Sequence, residues 1–422
     1  DCFDAQYSNG RVPSTVPHFM SVYDDVPNGG GAAILVPYRS WKTYGDVTTM
    51  TKFYPQMKKL MDYYTSKTVN HIMPGSNYSV LSDWGQETAG VNPMVPGEFT
   101  ITTTYYYMLN AMAEIASFLG KDVDAKGFLT QAQNTKKAFN ERFYKDGVYE
   151  YGQQSEFAMP LYYGLVDQEN EELVAAKLAE RVKKDNYKIK TGEIGLKPLF
   201  MSLAKYGYND IVYQMANQTD CPSYGYWVKQ GYTTTPEYWD VGAFSQNHCM
   251  MDHIEEWFFS QLGGIRNDGN GFDIVRIEPW IPEDMNHLDV TTRSIYGNIR
   301  CHYERGADDE MNYTFAIPAN SQANIVLPCL NHQSVFENGK DVKNGENGVV
   351  SVEYKDGKAY LKMGSGNYTL QIKKKVATGI QELNASKMQL NNVYYDLEGR
   401  NLGKIRPSQK GIYVLNHKKV VL

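Results

Sequence analysis

Cysteine is scarce, and no two of its positions lie close enough along the chain to grip a metal. Cys2, Cys221, Cys249, Cys301 and Cys329 are scattered, odd in number and free of any CxxC spacing. That predicts mostly free, buried thiols, no metal site and no cofactor, and it leaves the redox compartment open. Basic blocks are absent too. With 42 Lys and Arg against 48 Asp and Glu, the net charge of −6 argues against nucleic acid and against an anionic membrane surface as partner. No apolar run reaches bilayer length, which predicts no transmembrane segment, and no hydrophobic signal segment opens the chain. Residues 1–6 instead read like the middle of a helix, as though the chain had been cut.

Aromatic rings are in excess: 33 Tyr and 6 Trp among 422 residues. Rings without basic charge suit carbohydrate better than nucleic acid, although large cores use the same residues. The hydrophobic fraction of 42% is enough for real cores, and the length predicts at least two domains.

From 32 to about 262 the apolar spacing is helical. Pro55 opens a segment with Met57, Leu60, Met61 and Tyr64 on one face, and further helices are expected at 99–119, 124–143, 156–165, 169–184, 196–206, 210–217 and 244–262. Between 68 and 98 lies a long aperiodic loop with Ser82-Asp83-Trp84-Gly85-Gln86-Glu87, and loops of that length inside a compact domain are usually functional or disordered. Helical hairpins joined by short links predict a toroid of paired helices. About ten helices are countable where six hairpins need about twelve, a shortfall that fits a missing N-terminal part.

Beyond Gly263 to Gly271 the pattern changes to period-two runs at 274–277, 288–294, 299–305, 311–317, 323–327, 349–354, 359–363 and 368–373, separated by Gly, Asn, Asp and Pro. These predict an antiparallel β-sandwich. The expected organisation is multidomain, α then β: a helical barrel over 1–265, a β-sandwich over 266–375 and a small β tail over 376–422.

The chemistry centres on Gly231 to Asp240. Glu237 follows three threonines and Pro236 and precedes Tyr238, Trp239 and Asp240. Proline removes a donor and biases Thr235 away from helix, so Glu237 should stand on an extended loop between rings. A stacked ring orients the apolar face of a sugar while a carboxylate accepts its protons. The competing reading is a solvated loop acid beside core aromatics.

Several pieces, in order and at their spacing, resemble a known family: Thr191-Gly192 through Gly195; Pro222-Ser223-Tyr224-Gly225-Tyr226; Gly231-Tyr232-Thr233-Thr234-Thr235-Pro236-Glu237-Tyr238-Trp239-Asp240; Asn247-His248; Glu256-Trp257; and Leu262-Gly263-Gly264-Ile265. In the β region Tyr296-Gly297-Asn298-Ile299-Arg300, Ile317-Pro318-Ala319-Asn320 and Gly364-Ser365-Gly366-Asn367-Tyr368 continue it. The chain to about Lys373 resembles the inverting α-L-rhamnosidases of glycoside hydrolase family 78. The resemblance implies an (α/α)6-type barrel followed by a β-sandwich, a rhamnose-containing glycoside, oligosaccharide or polysaccharide as substrate, and Glu237 as the general base that deprotonates water. It also implies His248 as a sugar contact, Trp84 as an aromatic wall, Asp83 as a hydroxyl acceptor, and Trp239 and Tyr224 near the pocket.

Two departures stand against it. The acid-rich run before a Gly-Trp pair, where the family carries its general acid, is not found, and Gly29-Gly30-Gly31-Ala32 stands where a tryptophan is expected. A nearly inactive fragment of a longer enzyme is therefore expected, with Glu87 or Glu98 as substitute acids. The alternatives are a non-catalytic carbohydrate-binding protein and a different helical-barrel hydrolase or lyase. His248 could also be a core histidine, Cys249 beside it a nucleophile, and Asp252-His253 with Glu255-Glu256 metal ligands, although on a helix these last face different sides. The tail, in Tyr394 to Arg400 and Lys410 to Asn416, resembles sorting domains of secreted bacterial proteins, which implies a secreted, periplasmic or cell-surface location.

Overall fold

The computed structural model describes residues 1–13, 15–18, 27–75, 82–240, 242, 244–308, 310–374, 393–397, 399–415 and 418–421. The expected order holds, with helices first and sheets after. The helical part opens with α1 (Pro27–Gly30), α2 (Ala32–Tyr44), α3 (Thr48–Lys52) and α4 (Tyr54–Lys67). Then come α5 (Gly97–Phe118), α6 (Asp122–Phe143), α7 (Gln154–Tyr163), α8 (Glu171–Lys184), α9 (Glu193–Lys205) and α10 (Asn209–Ala216). Shorter α11 (Tyr224–Lys229) and α12 (Ile254–Trp257) close it, α12 running into a π-helical turn at Phe258–Leu262.

Burial explains the arrangement. Almost all of α5 is inside, as a helix apolar on every side must be, whereas α8 buries only Val174, Ala175, Leu178, Ala179 and Val182. The charges of α8 suit its dipole, with Glu171 and Glu172 in the first turn and Arg181, Lys183 and Lys184 in the last. α5 and α6 form an antiparallel hairpin. Phe99 at the start of α5 meets Phe139 and Phe143 at the end of α6, ring centroids 4.8 and 5.3 Å apart.

The helix expected over 244–262 is the main departure. Only its second half is helical, because upstream the chain bonds to the Thr-Pro loop: Glu237 N–H donates to Ser245 O at 3.1 Å and His248 N–H to Thr235 O at 2.7 Å. α11 was not expected; Ser223 Oγ caps it, accepting from Tyr226 N–H at 3.1 Å.

The β region is two packed sheets. One has the order β10-β9-β13-β7-β6-β5 and comprises β5 (His287–Ser294), β6 (Gly297–Arg305), β7 (Met311–Ile317), β9 (Gln333–Glu337), β10 (Lys340–Asp341) and β13 (Gly366–Lys374). The other has the order β11-β12-β8-β4-β3 and comprises β3 (Ile265–Asn267), β4 (Ile274–Ile277), β8 (Gln322–Pro328), β11 (Val349–Lys355) and β12 (Lys358–Met363). Met311, Tyr313, Phe315 and Ile317 alternate inward along β7, as period two requires. β3 pairs antiparallel with β4, β5 with β6, β6 with β7, β7 with β13, β8 with β12, β9 with β10 and β11 with β12, whereas β4 and β8 run parallel. β3, β9 and β10 were not expected, being too short to show a period. A further hairpin, β1 (Tyr144–Lys145) with β2 (Val148–Tyr149), follows α6.

Lys374–Leu422 is a separate compact unit, with a four-stranded sheet of β14 (Tyr394–Tyr395), β15 (Asn401–Gly403), β16 (Ile412–Leu415) and β17 (Lys418–Val421). Residues 375–392, with Glu398, Asn416, Leu422 and positions 76–81 of the long loop, lie outside the described residues. No disulfide joins any of the five cysteines, but only Cys301 and Cys329 are buried; Cys2 and Cys249 are exposed, against expectation. No helix among the described residues is long and apolar enough to cross a membrane.

One contact anchors the long loop to the barrel. Asp83 is fully buried, and its carboxylate accepts from Gly192 N–H at 2.9 Å, from Gly195 N–H at 2.8 Å and from the Ser155 hydroxyl. Gly192 is the N-cap of α9, so the carboxylate sits on the positive end of that helix. Burial lifts the Asp83 carboxyl above its ordinary range, against the pull of these donors. The glycines are needed for proximity: a Cβ on Gly192 would lie 2.1 Å from Trp84 O, and one on Gly195 2.5 Å from Ser155 Oγ.

A second buried carboxyl, Glu156 in the first turn of α7, accepts from Gln153 N–H at 2.9 Å and Tyr151 N–H at 3.0 Å. Burial nevertheless pushes its pKa up from 4.5 to about 7.

Two outcomes are expected. Asp83→Asn leaves one main-chain donor without an acceptor and should lower the unfolding free energy by roughly 1–3 kcal/mol, read from the urea midpoint. The raised pKa of Glu156 contributes stability that is complete below pH 4.5 and lost as pH rises through about 7. Unfolding free energy should therefore decline across that window, and the decline should be shallower in Glu156→Gln; equal slopes would refute it.

Candidate active site

Two irregular segments are clasped together to make the site. Besides the Glu237 to Ser245 and His248 to Thr235 bonds, the Thr234 hydroxyl bonds to Gln246 O and Thr235 Oγ1 donates to His248 O at 3.4 Å. Pro236, with no N–H of its own, fits between these partners without leaving a donor unmet. Glu237 and His248 thus stand on neighbouring stretches of backbone, each half-buried.

The anchored loop supplies the opposite side. Trp84 follows Asp83, and its indole N–H donates to Glu237 Oε1 at 3.0 Å. Glu237 Oε2 has no protein partner among the described residues. Trp84 also faces Tyr238, centroids 6.1 Å apart, and Thr88 Oγ1 accepts from Trp239 N–H at 3.1 Å. Burial and the surrounding carboxylates of Glu237, Glu87, Glu193 and Asp240 raise the Tyr238 pKa, so its hydroxyl stays protonated.

Glu193, the first residue of α9, is a site residue that the sequence did not disclose. Its N–H donates to Trp84 O at 2.8 Å and its Oε1 is bonded to His248 Nε2. Burial raises its pKa; His248 opposes this, and the charges of Glu237 and Asp83 reinforce it. The signal was the carboxylate inside Thr191-Gly192-Glu193-Ile194-Gly195, which reads as backbone pattern because its glycines dominate.

Glu237, Trp84 and His248 therefore come together, linked through Glu193. Three other expected residues are held in supporting contacts instead. Asp83 is a helix-binding carboxylate with no exposed surface, so it is no hydroxyl acceptor for a sugar. Trp239 is fully buried, stacked on Trp227 at 4.7 Å with its indole N–H on Thr191 O at 2.7 Å. Tyr224 packs edge-on against Trp239 and donates its hydroxyl to Met251 O at 2.6 Å. Both rings support the loop from behind. Of the two substitute acids, Glu98 is tied to Arg142 Nη2 at 2.6 Å, while Glu87 lies in a short 3-10 turn whose charge is felt at Tyr238. Among the described residues no three His, Cys, Asp or Glu side chains gather as a metal would require.

The comparisons with known proteins bear on the family and the fold. Residues 1–262 match the family described as bacterial alpha-L-rhamnosidase 6 hairpin glycosidase domain, and residues 264–341 the bacterial alpha-L-rhamnosidase C-terminal domain. An alpha-L-rhamnosidase of Formosa agariphila is 24% identical over 359 residues, covering 82% of this chain and 38% of that protein. The alpha-L-rhamnosidase structure from Dictyoglomus thermophilum superposes with a TM-score of 0.80 at 26% identity, over 89% of this chain and 43% of that one. The Streptomyces avermitilis alpha-L-rhamnosidase complexed with L-rhamnose gives 0.79 at 22%, over 88% and 36%, and bears on the fold alone. The chain thus spans about two fifths of the length of the relatives it matches. With the family pattern running through every helix described above, the chain belongs to the bacterial alpha-L-rhamnosidase six-hairpin glycosidase family.

Proposed function

We propose that this protein hydrolyses terminal α-L-rhamnosyl residues with inversion, and that Glu237 is the general base. The observation that carries the reading is the hydrogen bond from Trp84 to Glu237 Oε1. It holds one oxygen and leaves Oε2 to take a proton from a water molecule, while the Trp84 and Tyr238 rings offer an apolar wall for the sugar's methyl group and C–H faces. An inverting reaction places this base roughly 6.5–9.5 Å from the carboxyl that protonates the leaving oxygen, with water between base and anomeric carbon. No covalent bond forms between the sugar and the protein during the reaction.

The working units of this proposal are 1–265, 266–375 and 376–422, with the first carrying the site. Export to the periplasm, the cell surface or the medium belongs to the same reading and is supported by the strand runs of the tail. Cell fractionation that finds the protein with cytoplasmic markers would remove that part.

Glu237→Gln in the full-length protein should lower kcat on an aryl α-L-rhamnoside by about 10²–10⁴-fold, with KM little changed. Unchanged turnover would take the base role from Glu237, and rhamnoside binding without hydrolysis by the wild type would favour a carbohydrate-binding role. Proton NMR of the first product should show the β-anomer before mutarotation; an α-anomer would exclude inversion.

A further inference from the structure

Two carboxyl groups meet at this site, and the proposed reaction uses only Glu237. Glu193 has little freedom of its own. Its N–H is committed to Trp84 O, the Asp83 clamp holds the residues on either side of it, and its side chain is 11% exposed. His248 is held along its backbone by Thr235, and its side chain is 27% exposed. The single bond between them therefore sets the ring.

When Glu193 is ionised its carboxylate can only accept, and in that state the hydrogen of the bond lies on His248 Nε2. In the neutral imidazole the other nitrogen is then an acceptor. His248 Nδ1 has no protein partner among the described residues, whereas a purely structural histidine would be enclosed with both nitrogens met.

We infer that Glu193 is a positioning residue that holds the orientation and tautomer of His248, so that Nδ1 accepts a hydrogen bond from a hydroxyl of the bound sugar. This rests on the reading of the site as a rhamnoside-binding centre. Glu193 touches no reacting atom; its effect passes through the imidazole and falls on binding.

Calorimetric binding of L-rhamnose to the full-length protein is the readout, because it needs no turnover. Glu193→Gln should weaken binding about tenfold, the scale of one charge-assisted hydrogen bond. His248→Ala should weaken it at least as much, and the double variant by less than about twofold more, since one residue acts through the other. Unchanged affinity in Glu193→Gln, or additive losses in the double variant, would overturn the inference. His248→Gln supplies a control for folding: its amide can occupy the place of Nε2 but offers nothing at Nδ1. It should keep its thermal midpoint yet bind as poorly as His248→Ala, and wild-type affinity there would equally overturn the assignment. Glu237→Gln, assayed alongside for turnover, separates the readings. Its full activity would end the base assignment while the binding cycle still decides Glu193, and a wild type that does not bind rhamnose ends both.

Discussion

A buried carboxylate seated on the first turn of a helix organises this site. Asp83 gains its acceptance from main-chain N–H groups of Gly192 and Gly195 and from Ser155, and that arrangement draws a long loop onto the N-terminus of α9. Residues next to the clamp inherit its precision. Trp84 is aimed at Glu237 from one side, and Glu193 is aimed at His248 from the other. The geometry proposed for this site needs rigid supports, and here the support is a helix end bonded to a buried carboxyl.

The aromatic excess divides between two duties. Trp227 and Trp239 stack at 4.7 Å inside the core and give the Thr-Pro loop a stiff back, with Tyr224 packed against both. Trp84 and Tyr238, both half-buried, stand beside Glu237 instead. Sequence reasoning cannot separate these groups because neighbouring residues on an irregular loop point to opposite sides, as Tyr238 and Trp239 do. The core reading holds for Trp227 and Trp239, while the sugar-contact reading of Trp84 belongs to the proposed function.

Much of the fold was legible because its signals are periodic. α4 and α8 show one apolar face each, and β7 alternates strictly, so their bounds fall within a residue or two of expectation. What escaped lacks a period: the short strands β3, β9 and β10, the capped turn of α11, and the stretch from 244 to 253, whose Ser245 carbonyl and His248 N–H are bonded to a loop distant in pattern. At the site, resemblance carried Glu237, Trp84 and His248, while Glu193 stayed hidden. Its importance comes from a fold contact between α9 and His248, 55 positions apart, which no local spacing can announce.

Because the donors to Asp83 on α9 are main-chain amides, the identity of the side chains at 193 and 194 is irrelevant to the clamp. The glycines must stay, but the slot between them is chemically open. Position 193 is thus a place where a different side chain can stand while the frame remains undisturbed, a separation of scaffold from tuning.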